Sequence, residues 1–194
     1  FLVLQGPSGS GKTTLINLLG LLDRPDGGSL DIDGLPVAAL DENARADFRR
    51  DRFGFVFQFF NLVAVLTASE NVEYPMMLKG VAREARRRRA LDLLSSVGLH
   101  DKRDVRPDLL SGGQRQRVAI ARALANEPEI ILADEPTANL DTKTADDVLD
   151  LMATIHRDNR VAFVLSSHDP RVVARAERAL TLHDGRIVAS PEPR

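Results

Sequence analysis

Short apolar, β-rich runs bounded by turn residues alternate with longer helical patterns along most of the chain. That alternation predicts an α/β fold, a mostly parallel sheet covered by helices on both faces. The runs predict strands at Phe1 to Leu4, Phe53 to Phe57, Ile130 to Ala133, Val161 to Ser166 and Ala179 to Leu182. Asp184-Gly185 then predicts a tight hairpin into Arg186 to Ala189. From Thr67 to Leu110 the rhythm breaks, because helical patterns follow one another with no strand between them, and an inserted helical subdomain is expected there. Within it, Ala90, Leu91, Leu94 and Val97 recur at helical spacing behind a basic cluster, Arg83 and Arg86 to Arg89. Val148, Met152 and Ile155 mark the core face of a second helix, predicted from Thr142 to Arg157.

Composition sharpens this picture in three ways. The 194 residues, 43% hydrophobic and 28% charged, describe one globular domain, which should bury roughly 70% of its unfolded surface. A net charge of -2 argues against binding nucleic acid by bulk electrostatics, so the arginine cluster reads as a solvated helix face. With no cysteine there is neither a disulfide framework nor thiolate chemistry. No apolar run reaches the length of a membrane span, and FLVLQGPSG lacks the features of a signal peptide. The chain opens inside a strand-like run without Met, so residues upstream of Phe1 are expected.

The chemistry begins directly after the first strand. Gly6-Pro7-Ser8-Gly9-Ser10-Gly11-Lys12-Thr13-Thr14 matches the phosphate-loop pattern and runs into the helical LINLLGLL. Glycines let backbone N–H groups turn inward around a polyphosphate, the helix N-terminus adds partial positive charge, Lys12 neutralises the outer phosphates and Thr13 offers a hydroxyl to Mg²⁺. A second candidate is Asp134-Glu135-Pro136, two acids at the carboxyl edge of a buried strand, where open α/β sheets bind ligands. Asp134 suits the Mg²⁺ shell and Glu135 suits proton acceptance from an attacking water. A third is Leu110-Ser111-Gly112-Gly113-Gln114 at the head of VAIARALANE. Its glycines open a helix and are costly there unless a ligand or a close backbone approach requires them.

Together these motifs resemble the nucleotide-binding domain of ATP-binding cassette (ABC) transporters, a P-loop NTPase fold, over essentially the whole chain. The ordered set is a Walker A loop at Gly6 to Thr14, a Q-loop at Gln58, the LSGGQ signature at Leu110 to Gln114, a Walker B strand at Ile130 to Glu135, a D-loop at Ala138 to Asp141 and a switch histidine at His168. The resemblance implies ATP and Mg²⁺ as cofactors. Gln58 would touch Mg²⁺ and water and sense a membrane partner, and His168 would touch the γ-phosphate. A second copy would face the first head to tail, with Ser111 to Gln114 closing over the partner's ATP and Asp141 crossing the interface. A catalytic core of residues 1–58 and 111–194, with a helical subdomain at 59–110, is expected. So is a membrane permease as partner, with the cassette at the cytoplasmic face of the membrane.

Gly54 to Leu62, Leu66-Thr67, Glu70 to Val72 and Pro75 are similar to exporter ATPases of the lipoprotein-release, macrolide-export and cell-division branch. The alternatives are the solute-importer branch and a non-transport ABC ATPase acting in cell division, DNA repair or translation, the translation members carrying two cassettes in one chain. Members that work on DNA are disfavoured, because no long coiled coil separates Gln58 from Ser111, and a small-molecule kinase is opposed by the signature motif. The family stacks adenine on an aromatic residue upstream of the first strand. Tyr74, the only tyrosine, lies after Gln58 and cannot fill that role by order. The antiparallel strands that accompany that aromatic residue are expected to be incomplete.

Overall fold

A computed structural model describes residues 1–189; the last part of the expected core segment, residues 190–194, lies outside the described residues. The strands are β1 (Leu2–Gln5), β2 (Asp31–Ile32), β3 (Leu35–Pro36), β4 (Phe53–Val56), β5 (Ile130–Asp134), β6 (Ala162–Ser167), β7 (Arg178–His183) and β8 (Arg186–Ala189). The main sheet runs β4-β5-β6-β1-β7-β8. It is parallel throughout except for β8, which returns beside β7. The expected turn is present: Asp184 and Gly185 both have positive φ, 47° and 72°, as a two-residue hairpin turn of this twist requires. The five predicted strands all form, with ends shifted by a residue.

Alternate strand residues feed two apolar layers, which is why these runs form a sheet covered on both sides. Val3, Ile131, Phe163 and Leu165 pack with Val118 and Ile120 of α5 (Gly112–Ala123) and with Val148 and Met152 of α6 (Thr142–Asn159). Leu4 and Leu132 turn the other way, onto Ile16 of α1 (Lys12–Leu19). The stretch that broke the sequence rhythm contains α3 (Ala68–Leu78) and α4 (Arg83–Ser96) with no strand between them. Helix α3 starts in a capping box between Thr67 and Glu70, whose bonds hold the Glu70 carboxyl below its usual range. Arg83, Arg87 and Arg88 are exposed and Arg86 pairs with Glu73 at 3.2 Å.

Among the elements not anticipated, the short helix Pro170–Ala174 included, two matter for the packing around α1. The β2–β3 hairpin is too short to show alternation, and α2 (Glu42–Arg52) has no apolar stripe, Arg45 being its one buried residue. Besides Phe48, which packs edge-on against Phe53, what anchors α2 is electrostatic. Arg45 donates to the carbonyls of Leu21 and Asp23 at 2.8 and 2.7 Å, and Arg49 donates to Leu21 at 2.7 Å. The cations thereby satisfy carbonyls just beyond the end of α1, where the helix dipole favours positive charge.

Candidate functional site

The carboxyl ends of β1, β5 and β6 open into a cleft of about 480 Å³. The phosphate loop forms one wall from Pro7 to Thr14, with Ser10 buried beneath it, and Gln58, Glu135, Ala138 and His168 face it. The loop's shape depends on glycine at its base. Gly6 has φ 153°, and a Cβ there would lie 2.3 Å from the Leu182 carbonyl oxygen. Gly11 caps α1 in the left-handed region, φ 98°. The first intrahelical bond is from Leu15 N to the Gly11 carbonyl, so the amides of Lys12, Thr13 and Thr14 belong to the unsatisfied first turn that favours anions. From below, Gly185 N donates to the Ser10 carbonyl at 3.0 Å, bracing the loop against the β7–β8 turn.

Lys12 is 7% exposed and donates to the Gly6 and Pro7 carbonyls at 2.8 and 3.0 Å. Its Nζ lies 3.9 Å from Glu135 Oε1. Across the cleft, Thr13 Oγ1 donates to Asp134 Oδ1 at 3.0 Å. Glu135 is held by His168 Nδ1 at 2.9 Å and by the Ser167 hydroxyl at 3.4 Å, with its backbone in the left-handed region, φ 45°, which is costly for a side chain with a Cβ. The structure thus brings together Lys12, Thr13, Asp134, Glu135 and His168, with Gln58 on the same cleft. Thr13, Asp134 and Gln58 present hydroxyl, carboxylate and amide oxygens. Such a hard donor set suits Mg²⁺ held through one or two protein groups and substrate phosphates.

The signature and Asp141 do not line this cleft. Ser111 caps α5 in a capping box with Gln114, at 3.3 Å and 3.0 Å, and is exposed. Gly112 and Gly113 are there for close approach: a Cβ on Gly113 would fall 2.3 Å from Thr144 Cγ2, and one on Gly112 3.3 Å from Leu140 Cδ2. Asp141 caps α6 by accepting from Thr144 N at 3.0 Å, and bonds from Thr144 hold its carboxyl below the usual range. The signature turn and the D-loop are therefore packed against each other on one exposed surface, and Asn139 links them to the cleft by donating to the Gln58 carbonyl at 2.8 Å.

Several residues escaped the sequence reading. Ser166 and Ser167 are fully buried at the end of β6. The Ser166 hydroxyl donates to Asp134 Oδ1 at 2.5 Å and accepts from Glu135 N at 3.0 Å. The available signal was two hydroxyl residues ending an otherwise apolar strand. Arg122 of α5 donates to the carbonyls of Phe60 and Asn61, the former at 2.8 Å; both residues have positive φ. Burial lowers its guanidinium to about 10. Asn71, 1% exposed, accepts from Val63 N and donates to the Val63, Leu66 and Thr67 carbonyls. Gln58 is thus followed by a loop pinned from α5 and α3. Tyr74 lines a separate cavity between α2, α3 and α5.

A phosphate loop facing an acid pair on the next strand but one defines a P-loop nucleotide-binding domain, and the capped LSGGQ turn beside it defines the cassette type. Residues 1–138 match the family model described as ABC transporter. The chain is 50% identical over 189 residues to the macrolide export ATP-binding/permease protein MacB 1/2 of Paracoccus denitrificans, covering 97% of this chain and 28% of that protein. It is 52% identical over 189 residues to the lipoprotein-releasing system ATP-binding protein LolD 1 of Caulobacter vibrioides, covering 96% and 80% respectively. Among solved structures, the ATP-binding cassette MJ0796, dimeric and bound to ADP and Pi, superposes with a TM-score of 0.91 at 44% identity, over 100% of this chain and 85% of that one. The chain belongs to the ABC transporter family, as an ATP-binding cassette. It spans under a third of the MacB exporter and about four fifths of LolD. Among the described residues no helix is long and apolar enough to cross a membrane.

Proposed function

We propose that this chain hydrolyses ATP in the described cleft, with Mg²⁺, and that it drives a membrane permease from the cytoplasmic face. The single observation that carries this reading is the convergence of Lys12, Thr13, Asp134, Glu135 and His168 on the phosphate loop. The loop amides and Lys12 bind the triphosphate. Thr13, Asp134 and Gln58 would hold Mg²⁺, which would neutralise phosphate charge when bound. Glu135 accepts a proton as water attacks the γ-phosphorus in line. The new bond joins water oxygen to phosphorus and the bond to the bridging oxygen breaks. His168 orients Glu135 and reaches the γ-phosphate.

The exposed signature turn fits the same reading. Ser111 to Gln114 would close over the triphosphate of a second copy, with Asp141 at the interface, so that ATP binding joins two cassettes and hydrolysis releases them. The helical stretch within 59–110 would be the arm that follows the permease, hinged at Gln58, with 1–58 and 111–194 as the catalytic core. The named relatives favour export or lipoprotein release over solute import. Glu135→Gln tests the chemistry. Nucleotide binding and ATP-dependent dimerisation should persist while turnover falls by about 100-fold or more. A variant that hydrolyses ATP at the unmodified rate would remove Glu135 from its role.

A further inference from the structure

We infer that Ser166 is a positioning residue, whose hydroxyl sets the orientation of Asp134 toward a divalent cation and locks the strained backbone of Glu135. Ser166 on β6 is the register partner of Asp134 on β5. Its side chain is 0% exposed, in a strand whose neighbours Phe163 and Leu165 are apolar and buried. A hydroxyl in that setting is costly unless its bonds are made, and here the one proton and a lone pair both go to the acid pair. The proton reaches Asp134 Oδ1 at 2.5 Å, and the lone pair takes Glu135 N at 3.0 Å.

Two consequences follow from this placement. Asp134 Oδ1 also accepts from Thr13 Oγ1 at 3.0 Å, so two hydroxyls fix one carboxylate oxygen and leave Oδ2 as the free face. Glu135 N, in turn, is held twice, by the Ser166 carbonyl at 3.1 Å and by the hydroxyl, one residue after Asp134 and at a φ of 45°. Any residue at position 166 would supply the carbonyl. Only a hydroxyl residue supplies the bridge between the two acids. Partners of this kind, which orient a metal-binding group without touching the metal, control affinity and activity.

The inference rests on the proposed Mg²⁺-ATP reading of the cleft, and the test separates the two. Ser166→Val and Ser166→Thr in the full-length protein have nearly the same shape and differ by the hydroxyl. The readouts are Mg²⁺ titration of the binding of a fluorescent ATP analogue, binding of the same analogue without Mg²⁺, and kcat. Val is expected to raise the Mg²⁺ half-saturation by about tenfold and lower kcat, with Mg²⁺-free binding changed less than about twofold, while Thr keeps the Mg²⁺ titration within about threefold of Ser. Ala should follow Val. Equal Mg²⁺ titrations for Val and Thr, or a loss of Mg²⁺-free binding in Val as large as the Mg²⁺-dependent loss, would overturn the role. If the unmodified protein bound the analogue with no Mg²⁺ dependence, the reading of the cleft itself would fall and this inference with it.

Discussion

Gly54 is the position at which β4 and α5 come closest, and Gly54→Ala measures how much the fold depends on that approach. A Cβ there would stand 2.4 Å from the Ala123 carbonyl oxygen and 3.1 Å from its Cβ. Carbon and carbonyl oxygen ordinarily approach to about 3.3 Å at closest, so strand and helix must part by about 1 Å. The obstacle is backbone and cannot rotate away. Overpacking of this kind costs about 1–3 kcal/mol, while replacing glycine at an allowed φ returns about 0.4–1 kcal/mol through the unfolded chain. We expect a net loss of about 1.3 kcal/mol, or roughly 3–5 °C in Tm for a domain of this size. Gly27→Ala is the control. Nothing lies within 4 Å of its Cβ position and its φ is not positive, so it should be neutral or stabilising by about 0.5 kcal/mol. Thermal and urea unfolding of both variants decide the matter. A Gly54→Ala protein as stable as the Gly27→Ala protein would refute the reasoning.

Other consequences can be checked in the same way. Asn71→Ala strands the Val63 amide and the Leu66 carbonyl and takes a second donor from the Val63 and Thr67 carbonyls, and should cost about 2–3 kcal/mol in urea unfolding; a loss under about 0.5 kcal/mol would contradict the pinned loop. Arg122→Met frees the Phe60 and Asn61 carbonyls, so protease cleavage within 59–65 should rise while nucleotide binding persists; unchanged cleavage would mean the clamp is idle. Acid stability follows from Asp169, whose carboxyl is held below its usual range chiefly by the Arg171 side chain. A depressed folded pKa stabilises above the unfolded value and loses that contribution as pH falls through the folded one. Stability should therefore decline below about pH 4, and Arg171→Gln should make that acid limb shallower in unfolding measured against pH. An unaltered limb would exclude the pair.

How much of this was legible in the sequence depends on whether a residue acts through pattern or through placement. The strands announce themselves because Val3, Ile131 and Leu165 must be apolar to lie between helices, and the phosphate loop because only glycines permit its backbone. Helix α2 hides, since what it buries is Arg45, and its partners are the Leu21 and Asp23 carbonyls, which no side-chain pattern records. The serines of β6 hide for a related reason: hydroxyl residues at a strand end read as turn or cap until the neighbouring strand places Asp134 opposite them. Gly113 was legible as an anomaly, a glycine opening a helix, but its neighbour Thr144 became visible only once α6 was in position.

The place of β1 in the sheet has a consequence for biogenesis. Its two partners are β6 and β7, which lie more than 150 residues later in the chain. During synthesis the phosphate-loop strand therefore leaves the ribosome with neither neighbour available, and its apolar run stays unpaired until the last third of the domain has emerged. Non-local parallel pairing of this kind is slow and exposed to aggregation. A truncated nascent chain ending before residue 160 should accordingly depend on chaperones for solubility.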